Sequence, residues 1–119
     1  MLLNDFFEIS SIEVAGMNIH CVIRLNAAHE IFGGHFPEQP VTPGVCMMQM
    51  MTEIASMGFK KKLSIRSASQ IKFLIPILPA EHPLLTVRIS GKVSDEIISI
   101  SGRIENESLT FFKFKGKLE

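Results

Sequence analysis

Residues 35–49 read HFPEQPVTPGVCMMQ. A histidine and three prolines lead without pause into methionine-rich apolar sequence. Proline is well placed in the first turn of a helix, where its missing N–H is not needed. Pro43 therefore opens a helix, and Thr42 before it reads as the N-cap. The following residues are apolar on nearly every side: Val45, Cys46, Met47, Met48, Met50, Met51, Ile54, Ala55 and Met57. The helix is expected over residues 43–59, where Gly58 and the cations Lys60, Lys61 and Lys62 mark its end. A helix that is apolar nearly all round is buried on most sides. In a chain of 119 residues the simplest cover is a sheet curled around it.

The flanking sequence supplies that sheet. Residues 6–15 and 17–26 read as two strands separated at Gly16. In the second, Ile19, Cys21, Ile23 and Leu25 share one parity, opposite Asn18, His20 and Arg24. Residues 27–42 hold no regular pattern. Further strands are expected at 67–75, 84–93, 96–105 and 108–117, the last with Lys113, Lys115 and Lys117 on one face and Phe112 and Phe114 on the other. Prolines 76, 79 and 83 separate the first two of these. The expected layout is α+β, one domain over residues 1–119, with two strands, one long helix and an antiparallel meander.

Composition narrows the function. Twelve basic side chains balance twelve acidic ones, so there is no basic excess for non-specific nucleic-acid binding. No apolar run reaches the length of a membrane span, and the N-terminus lacks the pattern of a secretory leader. Cys21 and Cys46 stand alone and the four histidines are scattered, so neither a metal site nor a cofactor is expected. The default is a cytoplasmic protein with two packed, reduced thiols.

The motif His35, Phe36, Pro37, Pro40, Val41, Pro43, Gly44 resembles the signature of the FabZ/FabA group of 3-hydroxyacyl-acyl-carrier-protein dehydratases. A second segment, QIKFLIPILPAEHPL at residues 70–84, resembles that family's KF…P…P…L pattern through Lys72, Phe73, Pro76, Pro79 and Leu84. The resemblance covers nearly the whole chain. It implies a hotdog fold, an antiparallel sheet wrapped around one long buried helix. It also implies a homodimer or higher homo-oligomer whose sites combine residues of two subunits, and an acyl-carrier-protein or coenzyme A thioester as substrate. His35 becomes the base, suited by an imidazole that titrates near neutrality. The Gly44 N–H becomes the donor to the thioester oxygen, at a helix N-terminus and with no side chain in the way. Phe36, Pro43, Gly44 and Val45 are the implied substrate contacts.

The sequence departs from the family at one decisive place. Six residues after Pro43, where the family carries the catalytic Glu or Asp, stands Gln49. An amide has no proton to give at neutral pH. Glu53, four residues on and sharing the helix face about 6 Å along the axis, is a candidate substitute, acting directly or through a water. Its alternative is a carboxylate that fills a polar gap or pairs with a lysine. Three functions stay open: a (3R)-hydroxyacyl thioester dehydratase of fatty-acid or specialised lipid synthesis, an acyl-binding hotdog protein that partners an active paralogue, and a hotdog thioesterase. The methionines read as core, and as a wall that adapts to an acyl chain. Lys60, Lys61, Lys62 and Arg66 read as a solvated helix end, or as a steering patch for an acidic carrier protein.

Overall fold

The structure, a computed structural model, describes residues 1–34 and 41–119. Its elements in chain order are β1 (Phe7–Ala15), β2 (Asn18–Leu25), α1 (Glu30–Gly34), α2 (Gly44–Gly58), β3 (Ile65–Phe73), β4 (Leu84–Ser94), β5 (Ile97–Asn106) and β6 (Leu109–Leu118). The six strands form one antiparallel sheet in the order β1-β2-β4-β5-β6-β3. Alternate residues of β2, β4, β5 and β6 turn inward and are buried: Cys21 and Ile23, Val87 and Ile89, Ile100 and Ile104, Phe112 and Phe114. They form one core with Cys46, Met47, Met50, Met51, Ile54 and Ala55 of α2. The period of 2 in the strands and the apolar run of the helix therefore meet as the sequence requires.

Three local expectations differ from the structure. The meander holds for β4, β5 and β6, but β3 lies outside β6 at the sheet edge, and β4 pairs with β2 instead. Residues 74–83 carry Pro76, Pro79 and Pro83, which lack N–H donors and cannot close a hairpin between β3 and β4. The N-cap is Pro43, extended at φ −62° and ψ 143° and with no side-chain cap. Thr42 does not fill that role: the helix begins one residue later than expected, which puts Thr42 before the cap, with its backbone N–H donating to the Ile77 carbonyl at 2.9 Å. The short helix α1 has no apolar period to announce it. Asn26 and His29 set it up: Asn26 Oδ1 accepts from the Ala28 N–H at 3.1 Å, and His29 Nδ1 from the Ile31 N–H at 3.1 Å. Phe32 then stacks on Phe6 with ring centroids 5.1 Å apart.

Gly102 shows how closely helix and sheet approach. A Cβ built there would lie 2.6 Å from Met51 Sδ, inside van der Waals contact. The missing side chain on β5 is the seat of a helix residue. Gly102→Ala is expected to cost about 1–3 kcal/mol through overpacking, read as a lower denaturant midpoint at unchanged slope.

Candidate functional site

The N-terminus of α2 borders a cavity of about 300 Å³, walled by Thr42, Pro43, Gly44 and Met47 on one side and by Phe73, Leu74, Ile75 and Pro76 on the other. Two sequence features place these walls together. The second motif ends β3 at Phe73, whose ring stacks on Phe112 with centroids 5.3 Å apart. Gly44 lets that ring lie against the first helical turn: a Cβ there would stand 2.7 Å from Phe73 Cζ. The first N–H groups of a helix lack intrahelical acceptors and carry the positive end of its dipole. The cavity thus joins an apolar wall to donors suited to a developing oxyanion. Thr42 adds a buried hydroxyl with no hydrogen-bond partner among the described residues.

Gln49 and Glu53 lie on the outward side of α2, apart from this cavity. The Gln49 amide donates from Nε2 to Glu53 Oε2 at 2.8 Å. Glu53 in turn accepts from two backbone groups near the start of the chain. The Leu2 N–H lies 3.0 and 2.8 Å from its two oxygens, and the Leu3 N–H lies 2.9 Å from Oε1. A local turn aims these donors: the Leu2 carbonyl accepts from Asp5 and Phe6, and Asn4 takes the left-handed φ of 67° that asparagine tolerates. The NH₂ end of Gln49 thus faces Glu53. Its Oε1 is left as an acceptor on the exposed side.

The structure therefore sorts the expected residues. Pro43 and Gly44 line the cavity. Val45, 73% exposed, stands beside it on the helix surface. Gln49 and Glu53 form a separate pair. His35 and Phe36 lie outside the described residues. Of the opposite wall, Phe73 and Pro76 belong to the second motif, and Leu74 and Ile75 stand between them where the resembled family carries a basic pair. Their signal was an apolar run beside Lys72 with no polar alternation. Leu2 and Leu3 act through backbone N–H groups, which leave no signal in side-chain identity.

Cys46, on α2, and Cys21, on β2, are free and buried. Desolvation pushes the Cys21 thiol from its usual 9.0 up to about 11, and raises Cys46 as well. Among the described residues no group of three or more His, Cys, Asp or Glu side chains is placed to hold a metal. No described helix is long and apolar enough to cross a membrane.

Residues 11–111 match the ApeI-like family, described as ApeI dehydratase. The chain belongs to the ApeI-like dehydratase family. A relative is the 3-hydroxyacyl-[acyl-carrier-protein] dehydratase FabZ of Pseudoalteromonas translucida (strain TAC 125), 28% identical over an alignment of 75 residues that covers 56% of this chain and 50% of FabZ. The match thus spans about half the length of that relative. Among solved structures, the dehydratase heterocomplex ApeI:P from Xenorhabdus doucetiae superposes with TM-score 0.74 at 23% identity, covering 92% of this chain and 95% of that one. The (R)-hydratase from A. caviae involved in PHA biosynthesis gives 0.65 at 13%, covering 92% and 98%. The ApeI-like chain has the hotdog fold that its two motifs imply.

Two outcomes follow from this geometry. Glu53→Ala leaves the Leu2 and Leu3 donors without their acceptor and is expected to cost about 1–2 kcal/mol, a fall in Tm of roughly 4–10 °C for a domain this size. The thiols behave differently. With its folded value raised, the protonated Cys21 thiol contributes stability that is whole below pH 9 and is lost as pH rises through about 11; Cys46 acts in the same direction, as linkage requires. A thiol-reactive chromophore at pH 8 should label neither cysteine until denaturant unfolds the chain, and Tm should fall between pH 9 and 11.

Proposed function

We propose that this ApeI-like chain removes water from a (3R)-hydroxyacyl thioester, carried on an acyl carrier protein or coenzyme A, to give the trans-2-enoyl thioester. The observation that carries this reading is the Gly44–Phe73 contact. It sets an apolar wall against the first-turn N–H groups of a 15-residue helix, as an acyl thioester with a carbonyl oxygen requires. His35 takes the proton next to the carbonyl, and the Gly44 N–H meets the charge that gathers on the oxygen. The leaving hydroxyl needs a proton, and position 49 has none to give. The proton removed by His35 is then returned from the imidazolium to the hydroxyl. Water departs, the Cα–Cβ double bond forms, and the base is restored. Gln49 holds the hydroxyl by hydrogen bonds. Glu53 acts as its positioning residue, through the Nε2 contact of 2.8 Å.

A second copy of the chain completes the site. Phe73 and Leu74 are 55% and 49% exposed, and Ile71 on the same strand 41%. Such an apolar edge strand calls for cover. A homodimer joined there brings Gln49 of one protomer towards the cavity of the other, and the reaction belongs to fatty-acid or specialised lipid synthesis in the cytoplasm. One observation favours a second reading. The amide at position 49 suits a protein that holds acyl thioesters for an active paralogue and leaves the chemistry to it.

The deciding assay incubates the protein with a short 3-hydroxyacyl-carrier-protein and follows the enoyl product by mass spectrometry. Wild-type turnover is expected to be slow and to fall about 10²–10⁴-fold in His35→Ala, the usual worth of a general base. Gln49→Glu should raise it, because the new carboxyl lies beside Glu53 and the like charge lifts its pKa towards that of a working acid. Turnover confined to Gln49→Glu assigns the wild type to binding. Absence of product from both proteins ends the dehydratase reading.

A further inference from the structure

The outer face of the sheet, opposite α2, carries an unusual alignment. Glu13, His20, Arg88, Arg103, Lys113 and Lys72 stand directly opposite one another in a single row across all six strands. Four consecutive members are arginine or lysine. The next row adds Lys115 between Ser101 and Gln70, and the one beyond adds Lys92 and Lys117 on either side of Ser99. With Arg24, which shares the parity of His20 on β2, eight of the twelve basic side chains of a chain with no net charge lie on this face. Glu105 answers two of them: it pairs with Arg88, and its Oε2 lies 3.1 Å from Arg103 Nε. Lys72, Lys113 and Lys115 have no ion pair among the described residues. They border a shallow depression of about 840 Å³.

Like charges directly opposite on a sheet are destabilising. Lys72 and Lys113 are set so, with Lys115 two residues along β6; Glu105 is engaged by the two arginines and Glu13 stands at the opposite end of the row, so the complement of this site is negative and lies outside the chain. Its dimensions narrow the complement. Strands lie about 4.8 Å apart and alternate residues of one strand about 7 Å, so the cations form a grid some 15–20 Å across. A free phosphate covers one or two of its points. Carboxylates at positions i, i+4 and i+7 of a helix span about 10 Å and cover three or four. A single-stranded nucleic acid needs aromatic faces for its bases, and among the described residues bordering the depression Phe114 is 1% exposed, which leaves the imidazole of His20 near one end of the row.

We propose that this outer sheet face docks an acidic helix of a protein partner, with Lys72, Lys113 and Lys115 as its principal contacts. The surface is distinct from the cavity at Gly44 and does not depend on what that cavity binds. Charge complementarity supplies the attraction and its salt dependence.

The test uses the intact protein and a fluorescent 16-residue Glu/Ala helical peptide, followed by anisotropy. Wild type is expected to bind it at low salt, at least tenfold more weakly at 200 mM than at 50 mM salt, and not to bind the Gln/Ala version. Binding should fall at least tenfold in Lys72→Glu/Lys113→Glu/Lys115→Glu, and also in the gentler Lys72→Gln/Lys113→Gln/Lys115→Gln. The latter should melt no lower than wild type, since it relieves repulsion. Lys60→Glu/Lys61→Glu/Lys62→Glu, with the same change in net charge, should keep the binding. Equal loss in that control makes the effect one of net charge and overturns the proposal. Unchanged binding in both sheet-face variants does the same. Tighter binding of a single-stranded 16-nucleotide DNA than of the peptide overturns it in favour of nucleic acid.

Discussion

Everything in this protein is arranged around one steric contact, the seat of α2 on the inner face of the sheet. Met51 rests where Gly102 has no side chain, and Met47, Met50 and Ile54 fill the space beneath the neighbouring strands. Burial of such side chains is worth about 1.5–3 kcal/mol each, so the helix cannot rise from the sheet without loss of the core. Its axis is thereby set, and with it the position of its first turn. Gly44 is where it is because Met51, two turns further along, has only one place to go. A site built on a helix held in this way inherits the rigidity of the core.

The same contact decides which residues are spared. Val45, Gln49, Glu53 and Met57 recur every four residues on the side of α2 turned away from the sheet. Val45 and Met57 remain 73% and 42% exposed. The apolar run that makes the helix look buried all round is thus buried on one side by its own chain. The polar pair in the middle of the other side is steadied by the turn at Leu2–Asp5, which reaches the helix through backbone donors alone.

How much of this could be read beforehand depended on the range of the interaction. The helix from Gly44 and the alternation of β2 and β6 were legible, because period and proline position are local quantities. The motif of fixed spacing marked Pro43 and Gly44 as substrate contacts, and in the structure both line the cavity. The place of β3 beside β6 was not legible, since strand order is decided by long-range pairing that residue types in β3 do not encode. Thr42 looked like a cap because a one-residue shift of the helix start, from Pro43 to Gly44, leaves no mark in residue type. The attachment of Glu53 to Leu2 and Leu3 was invisible for a related reason: any residue other than proline offers the same N–H at those positions. The basic row was hidden too. Lys113, Lys115 and Lys117 announce an exposed face of β6, but Arg88, Arg103 and Lys72 join them only when the register of three ladders is known.

The exposed inner face of β3 has a consequence for the protein as a population of molecules. An edge strand has a line of unpaired backbone groups, and Ile71 and Phe73 add apolar area to it. Whatever covers that edge binds the folded chain and not the unfolded one. Its free energy is therefore added to folding by mass action, as RT ln(1 + [L]/Kd). If the cover is another copy, each tenfold dilution withdraws up to about 1.4 kcal/mol per interface from the fold. Abundance then acts as a stabilising ligand, and scarcity leaves the same sequence closer to its unfolding midpoint.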